Sequence, residues 1–105
     1  GKIDTHIDVG CGNGEYLSLL NNKVKNKQLI GIDFSKISVS ETLIKLKDKK
    51  KNNNSINAFQ ANAFDLGFIS KKLNKLQINK NSNILFIFWF ILHENKNDSF
   101  VNYFK

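Results

Sequence analysis

The segment Ile7-Asp8-Val9-Gly10-Cys11-Gly12-Asn13-Gly14-Glu15 constrains this chain more than any other. An acid and three glycines at alternate positions follow an apolar run and precede an amphipathic one. That order predicts a strand that enters a tight turn and leaves as a helix. The turn is stripped of side chains, so a ligand can lie against its backbone. Asp8, two residues before the first glycine, puts negative charge where a pyrophosphate would otherwise sit. The loop therefore suits a cofactor that carries positive charge.

Two other glycine motifs fit less well. The dinucleotide fingerprint reads G-x-G-x-x-G. Gly10 and Gly12 satisfy its first two positions, but its third falls on Glu15, and Gly14 comes one residue early. A phosphate beside Asp8 would also be repelled at close range. A P-loop is excluded because no Gly-Lys-Ser/Thr follows the turn. A glycine-rich loop without a ligand is the plain alternative.

Along the chain, short apolar runs alternate with helical patterns, which predicts βαβ units and a parallel sheet. The first strand covers about Thr5 to Val9, and a helix follows with Tyr16, Leu17, Leu20 and Val24 at helical spacing. Asn21-Asn22 weakens its end. The second strand is Gln28 to Asp33. Ser35 then caps a helix that carries Ile37, Ser40, Ile44 and Lys47 along one line and Val39, Leu43 and Leu46 along another. A short strand from Ile56 to Gln60 precedes a weak helix over Leu66 to Leu76. The fourth strand, Ile84 to about Phe90, is apolar throughout, as a strand covered on both faces should be. A last helix starts at Asn97 or Asp98 and runs through Phe104.

The chain has 105 residues and no methionine. It reads as one partial domain over residues 1–105, a fragment of a longer protein. Its net charge of +7 invites a nucleic-acid reading, but all 16 basic residues are Lys, with 16 Asn and no Pro. Lys, Asn, Ile and Phe have A/T-rich codons, so genome composition accounts for the pattern. A specific nucleic-acid surface more often includes Arg for bidentate contacts. The cluster Lys45-Leu46-Lys47-Asp48-Lys49-Lys50-Lys51 ends a helix, where cations favour the dipole. One cysteine, Cys11, excludes an internal disulfide, and two histidines without a supporting cluster argue against a zinc site. The run from Ile84 to Leu92 is less than half of the ~20 residues a membrane span needs. With no signal peptide visible, the chain reads as cytoplasmic.

The run Asp8-Val9-Gly10-Cys11-Gly12-Asn13-Gly14 resembles the first motif of the class I S-adenosylmethionine (SAM)-dependent methyltransferases. The resemblance covers nearly the whole chain, and all its matching parts concern the cofactor. It implies an α/β fold: a Rossmann-like three-layer α/β/α arrangement whose parallel sheet is truncated after about four strands. The first strand would neighbour both the second and the fourth, with the cofactor over the carboxyl ends where the strand order reverses. It also implies that Asp8 and the backbone of Gly10, Cys11, Gly12 and Gly14 position SAM. Asp33 would accept hydrogen bonds from both ribose hydroxyls, with Phe34 beside the adenine edge. An alternative role for Asp33 is a helix cap or dipole partner.

After the third strand the family commonly has an acid that grips the adenine amino group. Asn62 stands at that position, with an acid three residues later at Asp65. An amide oxygen can still accept that bond, less strongly than a carboxylate, and Ala63 would offer its N–H to the ring. The family also usually starts its fourth strand with Asp, where this chain has Asn83, and often follows the strand with Leu-His, here Leu92-His93. The spacing from Asn83 to His93 is one residue longer than the family pattern. Phe88 and Trp89 would wall a methyl-transfer pocket or simply fill core. His93, next to Glu94, is the candidate general base for acceptors that must lose a proton, or else a structural cap.

The resemblance implies transfer of the sulfonium methyl by in-line displacement, leaving S-adenosylhomocysteine (SAH). No residue defines the acceptor. A small molecule is the first expectation and RNA, including a cap guanine, the second. A methyltransferase-like domain that binds without catalysis is the alternative from another class, supported by Asn62 and Asn83 in place of acids. The very apolar fourth strand at an open sheet edge predicts that the isolated chain aggregates.

Overall fold

The computed structural model describes residues 2–47, 52–78 and 83–88. In chain order its elements are β1 (Thr5–Val9), α1 (Glu15–Lys23), β2 (Gln28–Asp33), α2 (Lys36–Lys47), β3 (Ser55–Gln60), α3 (Leu66–Lys75) and β4 (Ile84–Phe88). The strands form one parallel sheet in the order β3-β2-β1-β4. Val9 stands opposite Ile32 on one side and Phe88 on the other. The chain order therefore reverses beside β1, as the family resemblance implies.

Alternate residues of the sheet feed two cores. Leu29 on one face packs with Leu17 of α1, Leu46 of α2 and Cys11. Ile7, Val9, Ile30 and Ile32 on the other pack with Ala61 and Ile69 of α3. Helices on both faces of a parallel sheet give the three expected layers. Leu17, Leu29, Leu46, Ile7, Ile30 and Ile32 are fully buried, and each such side chain stabilises the fold by roughly 1.5–3 kcal/mol. Burial matters most for α1. At nine residues it falls below the ~12–15 at which an isolated helix becomes even marginal in water, so its docking on β2 holds it. That docking is close: a Cβ at Gly31 would lie 3.0 Å from Cys11 Sγ and 3.1 Å from Leu17 Cδ1.

The second helix buries Val39, Thr42 and Leu46 and leaves Ile37 and Ile44 exposed. Of its two apolar lines, the one through Val39 and Leu46 faces the sheet. The end of α1 departs from expectation. Asn21 is buried, and Asn54 Nδ2 donates to its Oδ1 at 2.8 Å and to the carbonyl of Val24 at 3.0 Å. The Asn54 carbonyl oxygen in turn accepts from the Lys27 backbone N–H at 2.9 Å. Asparagines that read as helix-weakening are thus the clamp that ties α1 to the starts of β2 and β3.

β4 lies at the open edge that was expected, but its described residues are less covered than their apolar sequence predicts. Among the described residues it forms the sheet edge, and Ile84, Leu85 and Phe86 are 41%, 37% and 42% exposed. It is not covered on both faces there. The expected continuation of this strand to Phe90 and the helix through Phe104 lie outside the described residues.

Candidate functional site

The glycine loop hangs from the end of β2. The Gly10 and Cys11 N–H groups both donate to the Ile32 carbonyl, at 2.7 and 3.0 Å. Reversing the chain within a few residues requires left-handed backbone, and Gly10, Gly12 and Gly14 have φ of +83°, +55° and +87°. Glycine alone adopts these angles without steric cost. The three positions differ in their surroundings. A Cβ at Gly14 would stand 3.0 Å from Thr42 Cα and Oγ1, whereas one at Gly12 meets nothing within 4 Å. The loop therefore rests against α2 at Gly14 and is open above Gly12.

Thr42 is a structural partner that the sequence reading missed. Its hydroxyl donates to the Gly12 carbonyl at 2.9 Å and lies 3.5 Å from Cys11 Sγ. The available signal was a hydroxyl on the line of Val39 and Leu46, a buried helical position that demands a hydrogen-bond partner. Cys11 itself turns its side chain into the core. Burial pushes its thiol up to about 11, helped by the charges of Asp33 and Asp8 and opposed by the Thr42 hydroxyl. At neutral pH it is a packed thiol.

Asp8, 1% exposed, sits near the end of β1. Its charge is felt at Tyr16, whose phenol is raised first by burial and then by Asp8. Asp33 ends β2 and joins it to the loop: Oδ2 accepts from the Gly12 N–H at 2.9 Å and Oδ1 from the Ser35 N–H at 2.8 Å. The cap of α2 is Ser35, whose hydroxyl accepts from the Ser38 N–H. A carboxylate has about four acceptor positions. Asp33 therefore keeps capacity for further donors while the loop holds it in place.

Two cavities meet at Gly10 above the carboxyl ends of the strands. One, of about 420 Å³, is lined by Val9, Gly10, Ile32, Asp33, Phe34, Ala61, Asn62, Ala63 and Phe64. The other, of about 300 Å³, is lined by Asp8, Gly10, Cys11, Gly12, Asn13, Glu15 and Tyr16. Together they bring Asp8, Gly10, Cys11, Gly12, Asp33, Phe34, Asn62 and Ala63 to one groove. Gly14 lies behind the loop, buried against Thr42. His93, Glu94 and Trp89 lie outside the described residues, as does the expected methyl-transfer wall beyond Phe88.

The two asparagines that replace expected acids have different positions. Asn62 is at the groove, its Oδ1 accepting from the Phe64 N–H at 2.9 Å. The nearby Asp65 is the N-cap of α3 and accepts from the Phe68 N–H, so it does not substitute for an acid at Asn62. Asn83 is at the opposite end of the sheet. There its Nδ2 donates to the Lys2 carbonyl at 2.7 Å, and its carbonyl accepts from the Asp4 N–H. It fastens β4 to β1, and its lack of charge has no bearing on the groove.

The groove's electrostatics oppose those of the chain. Asp8, Glu15 and Asp33 line it, and among the described residues no lysine does, although the net charge is +7.

A methyltransferase domain family matches residues 2–88. A tRNA (guanine-N(7)-)-methyltransferase of Prochlorococcus marinus subsp. pastoris is 33% identical over 92 residues, which cover 85% of this chain. The match spans 42% of that relative's length. Among solved structures, the plantazolicin methyltransferase BamL, in complex with a triazolic desmethylPZN analog and SAH, is 27% identical with a TM-score of 0.42. That likeness covers 57% of this chain and 21% of the other. By the family match over most of its length, the chain belongs to the methyltransferase domain family, the class I SAM-dependent group that its glycine loop resembles.

Proposed function

We propose that this chain is the cofactor-binding part of a SAM-dependent methyltransferase. The observation that carries the reading is the groove beside the reversal of strand order: three acids and an open glycine loop, with no lysine among the described residues that line it, in a strongly basic chain. An ammonium and a sulfonium suit that field, whereas a pyrophosphate does not. The open space above Gly12 leaves room for a ligand against the backbone.

In this reading Asp8 and Glu15 supply negative charge around the loop, and Asp33, held by Gly12 and Ser35, takes the ribose hydroxyls. Asn62 accepts from the adenine amino group with the lone pair that Phe64 leaves, and the Ala63 N–H meets the ring. When bound, SAM supplies an electrophilic methyl on its sulfonium. The chain's own contribution is to hold donor and acceptor in contact and in line, which is worth several kcal/mol of barrier (roughly 7–11 at best) without covalent steps. His93 is proposed as general base where the acceptor must lose a proton.

For the acceptor, we propose a small molecule as the first reading. RNA is the second, favoured by the tRNA-modifying relative. A cytoplasmic location and a partial domain over residues 1–105 belong to the proposal and rest on the sequence alone. Incubating the full-length protein with methyl-labelled SAM and separate metabolite and RNA pools tests it. Label in one pool identifies the acceptor class. No transfer to either pool from a protein that binds SAH favours a binding domain without catalysis.

A further inference from the structure

The strands all run the same way, so the helices that return between them end at the amino end of the sheet, opposite the groove. Lysines gather at that end. Lys23, Lys47 and Lys75 stand in the last turns of α1, α2 and α3. Helix dipoles favour cations there, but they do not account for Lys2, Lys25 and Lys27, which lie outside helices. All of these except Lys27 are exposed. Lys27 Nζ lies 3.9 Å from Asp4 Oδ1, which offsets part of the charge. A/T-rich codons explain how many lysines the chain has, and not where the fold puts them.

Asparagines stand between the lysines. Asn26, after α1, and Asn52 and Asn53, before β3, take left-handed backbone with φ of +58°, +62° and +57°. The Asn26 N–H donates to the Asn52 carbonyl at 2.9 Å, and Asn53 Nδ2 donates to Asn26 Oδ1 at 3.0 Å. Asn26 and Asn53 are both exposed. Among the described residues, that bond leaves Asn26 Nδ2 as a donor beside Asn53 Oδ1 as an acceptor. A ribose 2′-hydroxyl both donates and accepts, so it matches the pair, and deoxyribose lacks it.

We propose that the amino end of the sheet binds the backbone of an RNA double helix, with phosphates against Lys23, Lys25 and the neighbouring lysines and a 2′-hydroxyl at Asn26 and Asn53. Double-stranded RNA is recognised by its shape, phosphates and 2′-hydroxyls rather than by base edges. Point charges serve that purpose without the bidentate contacts of Arg. A single strand would need aromatic rings to stack on, and none of the exposed large apolar side chains falls within residues 22–27 or 52–55. The same lack argues against a membrane surface, which basic segments bind with apolar side chains beside them. The length of the strands separates this end from the groove by roughly 20 Å. RNA and cofactor therefore do not compete, and the surface does not by itself name the methyl acceptor.

Fluorescence anisotropy of the full-length protein with a labelled RNA duplex of about 16 base pairs tests the proposal. The DNA duplex of the same sequence and phosphatidylserine vesicles serve as competitors, and SAH is titrated separately by calorimetry. The RNA duplex should bind more tightly than the DNA and stay bound on saturation with SAH. Lys23→Gln with Lys25→Gln should lower the slope of log K against log salt by about 0.9 per lysine. Asn26→Gly keeps the left-handed backbone and removes the amide, so it should weaken RNA binding about fivefold and leave DNA binding as it was. These variants should keep the parent's circular dichroism spectrum and SAH affinity. The proposal is overturned if the RNA duplex does not bind, if the lysine variant keeps its slope, or if DNA or the vesicles bind as tightly as RNA. Displacement of the RNA by SAH would put it in the groove and overturn the proposal equally. Failure of SAH to bind while these RNA results hold would overturn the proposed function instead.

Discussion

At the scale of single residues, the loop glycines should not be equivalent. At Gly14 an added Cβ meets Thr42 at 3.0 Å on backbone already at φ +87°, whereas at Gly12 it meets open space at φ +55°. Gly14→Ala should therefore cost about 2–3 kcal/mol through strain and overpacking, and Gly12→Ala about 1 kcal/mol. Urea denaturation of the two variants checks the order. Equal losses would mean that Thr42 does not brace the loop.

His6 makes a second prediction at this scale. It is buried in β1, and among the described residues its Nδ1 has no hydrogen-bond partner. Burial, and then the charge of Lys27, hold its pKa below the ordinary 6.5. The unfolded chain therefore takes up a proton near that value while the folded chain resists until lower pH. This contribution is whole above pH 6.5 and is lost as the pH falls below it. His6→Gln should flatten the fall in thermal stability on acidification from about pH 7 to about pH 5, and an unchanged slope would contradict this origin.

At the scale of elements, the Asn54 clamp joins α1 to two strands. Its amide donates to Asn21 and Val24 and its carbonyl accepts from Lys27, so Asn54→Ala should cost about 2 kcal/mol. Asn54→Asp should be no milder, because a carboxylate offers nothing to the Asn21 and Val24 oxygens. Chemical denaturation of both variants checks this, and full stability of the Asp variant would refute the clamp.

The contrast between this clamp and the strands shows what was legible in the sequence. β1 and β2 have the bounds expected from their apolar runs, because turn residues and charges punctuate them directly. The glycine loop was legible because glycine takes its left-handed angles without steric cost. Asn54, Thr42 and Gly31 act across distances of about 30 residues or against another element's side chain, and only packing reveals them. Asn21-Asn22 has poor helix propensity, and the tertiary hydrogen bonds outweigh it.

At the scale of the whole molecule, the charge is distributed against function-blind expectation. Among the described residues no lysine lines the groove, while Asp8, Glu15 and Asp33 concentrate there. β4 is the other feature at this scale, with its half-exposed apolar residues at the sheet edge among the described residues. Apolar strand edges recruit further chains, so residues 1–105 expressed alone should self-associate. Sedimentation velocity checks it, and a monodisperse monomer would contradict it.

In the proposed function the groove holds a cationic nucleoside cofactor on Asp33. Calorimetric titration of the full-length protein with SAH and with NAD, repeated on Asp33→Ala, tests it most directly. SAH should bind saturably, at least about tenfold more weakly once the charged acceptor is lost, and NAD should not bind. Preference for NAD, or SAH affinity indifferent to Asp33 in a folded protein, would contradict it.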